Sequence, residues 1–348
     1  ATIIGTEPGT FKADRNNIAR YWCDHGAWPL FVLNFYIDQT GDLEILLKDL
    51  PYWKDQFSFR TKEIDKEWDA SDGNLQLDVF GKEYRDSVFE HVLLQNLSSY
   101  YHVGEHNNLL LEGADWNDTY DMARERGESV CFHHFYGFNL KLLAELLQSL
   151  KETGIDKISL LEEIDILLDT QNNIRENLTN PGNKQAVLNS YLSAVKSRAS
   201  GKKKDYDIGQ LINDLLQKSS HVKEHIQENE WITTKEGRSF FNGHYDNHAH
   251  KIDGDHVLGV RMDLPSQVMP VMCETATQKQ IKEIIKSTKY YLKDDDKPGL
   301  RLCTDFKELD LNIGRLTGFT YGYKEHGSKW MHQNIMLAYG KKKKKFVN

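Results

Sequence analysis

The 348-residue chain has only four cysteines, Cys23, Cys131, Cys273 and Cys303, and no two of them form a C-x-x-C pair. That spacing argues against a disulfide framework or a cysteine zinc site and reads as reduced, buried small hydrophobes in a cytoplasmic protein. No apolar run approaches the roughly 18 residues a membrane helix needs, so no membrane span is encoded. Positive charge is in deficit, with 44 Lys and Arg against 52 Asp and Glu and a formal net charge of -8. A general nucleic-acid binder would instead need a basic face. Neither G-x-G-x-x-G nor a P-loop is present, so no dinucleotide or ATP is implied. The opening Ala1-Thr2-Ile3-Ile4-Gly5 carries neither Met nor a charged-then-apolar leader.

What the chain has in quantity is helix signal. The length admits one large domain or two ordinary ones, with a core well beyond marginal size. Capping boxes at Ser87-x-x-Glu90, Ser159-x-x-Glu162 and Thr277-x-x-Gln280 each precede apolar residues at helical spacing. Further helices are predicted through Trp28–Ile37, Phe135–Leu150, Val187–Val195 and Ile208–Leu216. Strand signals are short and local, at Trp231–Thr234, Ser239–Phe241 and Val257–Met262. Glycine-rich polar segments separate these elements, and no strict repeat is present. An α-solenoid and a helical toroid fit the periodicity equally well.

The chemistry concentrates in Leu111-Glu112-Gly113-Ala114-Asp115-Trp116-Asn117-Asp118, followed by Arg124-Glu125-Arg126-Gly127-Glu128-Ser129-Val130. Two carboxylates lie three residues apart around an indole and an amide. A Trp face stacks on a sugar ring, Asn and Asp hold hydroxyls, and a carboxyl can protonate a glycosidic oxygen. The same residues would also serve as an Asx-rich turn capping a helix.

The order GADWND then RGESV resembles the catalytic segment of the cellobiose and chitobiose phosphorylases, glycoside hydrolase family 94. The resemblance implies an all-α fold, an (α/α)6 barrel with short β-hairpins in its loops. It also implies a single catalytic domain over residues 1–348, a piece of a longer protein. The family's acid is the second Asp of the D-W-N-D run, here Asp118, with Trp116 lining the sugar subsites and Asp115 and Asn117 shaping the loop or touching hydroxyls. The implied reaction is inverting phosphorolysis of a β-glucosidic bond in an oligosaccharide, giving α-glucose 1-phosphate. Inorganic phosphate is then a co-substrate and no cofactor is needed. Family members are often dimers, so a homodimer is expected.

Three further clusters match the family in part. Gly314 to Asn334 resembles a K-E-N-G segment followed by a histidine, which assigns Lys324 and His332 to phosphate and Glu325 to sugar; His326 stands where Asn is common. A glycine-rich turn with His332 packed in the core is the alternative there. Arg20-Tyr21-Trp22-Cys23-Asp24-His25 resembles the segment whose acidic pair holds the donor sugar, implicating Arg20 and Asp24, although His25 replaces the second acid. Asp24 would equally serve as a cap ahead of Trp28-Pro29. Gln267 falls in a family-like strand-to-helix passage, and Glu274 or Asp24 is the candidate base if water rather than phosphate attacks, although Glu274 would equally serve as a surface charge ahead of a helix N-terminus.

An inverting hydrolase and an inactive sugar-binding fragment therefore remain as alternatives. His244, His248, His250 and His256 with Asp246, Asp253 and Asp255 could chelate a metal, but their spacing fits no settled pattern, so none is assigned. The Lys341–Lys345 run reads as a solvated helix end favoured by the dipole.

Overall fold

A computed structural model describes residues 1–6, 22–54, 65–68, 71, 73–168, 178–294 and 297–346, with side chains as far as Lys341. Arg20 lies outside the described residues. Contacts divide the chain into two compact units: Ala1–Val103 with Asn139–Ser219, and Gly104–Phe138 with Ser220–Asn348.

Helix dominates, at 45% of the described residues with short 3₁₀ turns included. The α-helices are α1 (Trp28–Thr40), α2 (Val88–Tyr101), α3 (Val130–Glu152), α4 (Pro181–Val195), α5 (Ile208–Asn229), α6 (Pro265–Met272), α7 (Gln278–Tyr291) and α8 (Met331–Phe346). Among the described residues every strand has five residues or fewer and every sheet two or three strands. No described helix is long and apolar enough to cross a membrane.

Local chemistry explains most of the boundaries. Helix α1 begins with a proline in its first turn and stops at Gly41, whose φ of 71° closes the end in the left-handed conformation glycine favours. Ser87 accepts from the Glu90 N–H and starts α2. Thr277 and Gln280 form a full reciprocal capping box on α7. Asn180 accepts from the backbones of Gly182 and Asn183, which starts α4 at Pro181, ahead of the expected Val187. Helix α5 runs to Asn229, well past the expected Leu216.

Two expectations fail instructively. Ser159 opens no helix. It lies in β5 (Lys157–Leu161), paired antiparallel with β6 (Lys203–Asp207). Ile158 and Leu160 are buried while Lys157 and Ser159 are exposed, so alternation with period two outweighs the capping letters. The strand expected over Val257–Met262 is a hairpin of β10 (Gly254–His256) and β11 (Gly259–Arg261), turning at Val257-Leu258.

In the first unit, α2 is buried from Phe89 to Tyr101, polar residues included. Its Glu90 Oε1 accepts from the Tyr52 and Tyr84 hydroxyls at 2.9 and 3.0 Å, and Oε2 accepts from the Leu161 N–H at 2.7 Å. These bonds satisfy a carboxyl that would otherwise be costly to bury. Lys218 and Asp214, a turn apart on α5, form a 2.5 Å ion pair with side chains only 0% and 5% exposed. In the second unit α6 packs on α8, and Gly340 permits the approach: a Cβ there would stand 3.0 Å from the Met272 backbone.

Removing one member of a buried ion pair strands the other charge. Asp214→Asn should therefore cost about 3 kcal/mol or more, against about 1 kcal/mol for Thr277→Ala, which removes a solvent-facing cap. Urea unfolding of the two variants checks the order; equal costs would show that the Lys218 charge is relieved by other means.

Candidate active site

The site grows from a three-stranded sheet in the second unit. Strand β3 (Leu109–Leu110) pairs with β4 (Glu128–Ser129), which pairs in turn with β9 (His244–Tyr245). The D-W-N-D segment lies on the excursion between β3 and β4, closed at its base by the Leu111 N–H donating to the Gly127 carbonyl at 2.9 Å. Register places Ser129 directly opposite His244. Both reach Asp115 Oδ2, Ser129 Oγ at 2.7 Å and His244 Nε2 at 2.6 Å.

The other Asp115 oxygen shapes the loop, accepting from the Asn117 N–H at 2.8 Å. Asn117 repeats the device, its Oδ1 accepting from the Thr119 N–H at 3.3 Å and the Thr119 hydroxyl at 2.5 Å. Successive Asx turns of this kind replace regular secondary structure with side-chain-to-backbone bonds. They turn Asp115 inward, 3% exposed, and leave the Asp118 side chain 45% exposed.

Asp118 meets a residue the sequence did not single out. Its Oδ2 accepts from Arg315 Nη2 at 2.7 Å, and Arg315 Nη1 donates to Asp121 Oδ2 at 2.6 Å. A guanidinium therefore stands directly against the Asp118 carboxylate. Asp121 Oδ1 also accepts the Arg315 backbone N–H at 3.1 Å. Gly314 fits this docking because a Cβ would lie 2.1 Å from the Thr119 carbonyl oxygen, and its φ of 149° suits glycine.

The same loop joins the C-terminal cluster through Trp116. Its ring lies edge-on to Trp330 and His332, with centroids 5.4 and 5.0 Å away, and Trp330 and His332 are 5.6 Å apart. His332 stays exposed, and partial desolvation of its ring draws its pKa below the ordinary imidazole value. Two residues predicted for one site, Trp116 and His332, are thus in contact.

Other predicted residues fare differently. Lys324 is exposed at a φ of 50°, and its carbonyl accepts from Trp330 Nε1 at 3.3 Å. Glu325 is half-buried beside it. His326 is a buried structural residue: Nδ1 donates to the Phe319 carbonyl at 2.7 Å and Nε2 accepts from the Phe306 N–H at 3.3 Å. Gln267 is fully buried and pairs like a short strand with Phe241, accepting its N–H at 3.0 Å and donating to its carbonyl at 2.7 Å. Glu274 ends α6 at a φ of 61°. Asp24 belongs to the first unit, where its carboxylate accepts from Trp28 Nε1 at 2.8 Å in the turn leading into α1.

Beneath the loop lies a buried set of titratable groups. Asp253 accepts from the Gly243 N–H at 2.9 Å and the Asp263 N–H at 2.7 Å, and Ser266 Oγ donates to Asp263 Oδ2 at 3.2 Å. Burial pushes the Asp253 carboxyl up to about 6 and the Asp263 carboxyl well above the usual range. Tyr120 stacks on His244 with centroids 4.2 Å apart. Burial pulls the His244 pKa down, but the Asp115, Asp263 and Asp253 carboxyls outweigh it and leave it raised. Among the described residues no group of three or more His, Cys, Asp or Glu is placed to hold a metal. His244 is engaged by Asp115 and Asp253 by backbone, while His248 and His250 sit in a turn organised by Asp246.

Because the folded pKa of His244 is raised above the unfolded value of about 6.5, its stabilising charge is fully present below that value. It is lost as pH rises through the folded pKa. The difference in thermal midpoint between wild type and His244→Asn should accordingly be largest in mild acid and narrow on alkalinisation. A difference that widens with pH would show His244 to be neutral in the fold.

Residues 61–343 match the Glycosyl hydrolase 94 superfamily, catalytic domain. A solabiose phosphorylase from Paenibacillus borealis is 22% identical over 311 residues, which are 89% of this chain and 29% of that protein. The chain therefore spans about 29% of the length of the curated relative it matches. The match covers the D-W-N-D loop, Arg315 and His332 alike, and the chain belongs to the glycosyl hydrolase 94 superfamily as a catalytic-domain sequence.

Proposed function

We propose that the chain is the catalytic part of an inverting glycoside phosphorylase that cleaves a β-glucosidic bond in an oligosaccharide with inorganic phosphate. A phosphate oxygen bonds to the anomeric carbon from one face. The bond to the leaving sugar oxygen breaks on the other, and Asp118 delivers its proton to that oxygen. The products are α-glucose 1-phosphate and a shortened sugar. The observation that carries this reading is the contact of Trp116 with His332, because it brings the indole of the D-W-N-D loop against an imidazole of the C-terminal cluster. A phosphorolytic site needs no second carboxylate as base, since phosphate arrives anionic; it needs donors facing an oxyanion. Family membership and the name of the Paenibacillus borealis relative support the same chemistry.

In this reading His332 and Lys324 face the phosphate, Trp116 stacks on sugar and Glu325 contacts hydroxyls. The buried Gln267 and Asp115 act through the backbone they hold. The proposal extends to a single catalytic domain over 1–348 built as an (α/α)6 barrel, the architecture of the family's catalytic domain, to a homodimer, and to a cytoplasmic location, which suits the four buried cysteines.

Two variants of the full-length protein test the roles. Asp118→Asn removes the proton donor while keeping size. It should lower disaccharide phosphorolysis on the order of 10²–10⁴-fold yet spare much of the rate on a glycosyl fluoride, whose leaving group needs no proton. Equal loss on both donors would remove Asp118 from the acid role. His332→Ala should raise the KM for phosphate far more than that for sugar; a change confined to the sugar term would reverse the assignment.

A further inference from the structure

Trp116, Trp330 and His332 form one aromatic group in the second unit. The Trp330 centroid lies 5.4 Å from Trp116 and 5.6 Å from His332, with its plane turned 81° and 80° from theirs. Trp116 and His332 are 5.0 Å apart at 63°. No ring of the three lies flat over another's face. Both indoles are half-buried and His332 is exposed, so the group borders solvent. Trp330 is also held at both ends. Its Nε1 donates to the Lys324 carbonyl at 3.3 Å, and its own carbonyl accepts from the Gln333 N–H at 3.1 Å and Asn334 Nδ2 at 3.2 Å. Asn334 is tied in turn to Leu300, accepting its N–H at 2.7 Å and donating to its carbonyl at 3.1 Å. A ring fixed in this way meets a ligand with little rotamer freedom left to lose.

The face of an indole is the negative side of its quadrupole and attracts C–H hydrogens. A gluco-configured pyranose carries its hydroxyls equatorially and its ring C–H bonds axially, so its two faces are apolar and its polar groups lie at the rim. An axial hydroxyl at C4, as in a galacto-configured ring, breaks one of those faces. Two indoles with planes near a right angle cannot both lie flat on one sugar: one covers a face and the other closes the rim. We propose that Trp330 is a specificity-determining residue of the saccharide site. With Trp116 it forms a two-walled corner that holds the glucosyl ring being transferred and discriminates against a ring with an axial C4 hydroxyl. The choice of ring rests on the phosphorolytic reading: the carbon that phosphate attacks must lie beside the phosphate, hence beside His332, which both indoles contact.

The test is steady-state synthesis by the full-length protein from α-glucose 1-phosphate or α-galactose 1-phosphate with one fixed acceptor, beside phosphorolysis at varied phosphate. Wild type should favour the gluco donor. Trp330→Ala should raise the KM for α-glucose 1-phosphate on the order of tenfold, the scale of one lost aromatic contact. It should narrow the preference over the galacto donor and leave the KM for phosphate near that of wild type. Trp330→Phe keeps a ring and loses only the bond to Lys324, so it should retain most of the preference. Trp330→Leu, apolar but without a π face, should behave as the alanine variant and covers the case in which that one fails to fold. Equal use of the two donors by wild type overturns the proposal, as does an unchanged preference in the alanine and leucine variants. So does a rise confined to the phosphate KM, or a phenylalanine variant as impaired as alanine, since the Lys324 bond would then be the whole role of Trp330. Glucose release at the same rate without phosphate would instead overturn the phosphorolytic reading. The ratio of aryl β-glucoside to aryl β-galactoside hydrolysis, wild type against Trp330→Ala, then decides the role of Trp330 separately.

Discussion

Both oxygens of Asp115 are committed, one to the Asn117 backbone and one to Ser129 and His244, and the loop that carries Trp116 and Asp118 is built on that carboxylate. A loop excursion from a short sheet has no ladder of its own to hold it. Its backbone donors must be satisfied by side chains or by water. Asp115 supplies that order from inside, and the strand register of Ser129 against His244 fixes Asp115. The first Asp of the motif is the frame and the second is the exposed group, a division of labour set by burial rather than by residue type.

The frame also settles which distant residues meet. Once Trp116 and Asp118 are turned outward, the indole packs on Trp330 and His332, and the carboxylate is reached by Arg315. The buried Asp253, Asp263 and His244 lie on the other side of the loop, where burial raises the acids and the acids raise the imidazole. The outer layer is thus open to solvent and ligands, while the inner layer is sealed and electrostatically self-compensating. A site with that arrangement keeps its geometry while its outer partners exchange.

Local signals were legible and distant ones were not. The Ser87 and Thr277 caps start helices because their bonds close within three residues. Ser159 carries the same letters but lies on a strand, since cross-strand burial of Ile158 and Leu160 is decided by a partner 44 or more residues away. The D-W-N-D and His332 segments could be recognised from residue order. The Arg315–Asp118 ion pair could not: Arg315 lies 197 residues from Asp118, inside a stretch whose glycines read as turn chemistry alone. Gln267 shows the converse, a residue conspicuous in sequence whose amide is spent on the Phe241 backbone. His244 looked like one of several loop histidines and is instead the buried partner of Asp115.

In the proposed reaction, Asp118 and the donors assigned to phosphate perform one displacement with inversion, in which phosphate replaces water. Following the reaction of the full-length protein with a β-linked gluco-oligosaccharide by proton NMR reads this directly, through the anomeric configuration of the first product formed. The account predicts that sugar is consumed only when phosphate is present and that the first-formed product is α-glucose 1-phosphate. Free glucose released at the same rate without phosphate, or a β-configured phosphate ester, would contradict it.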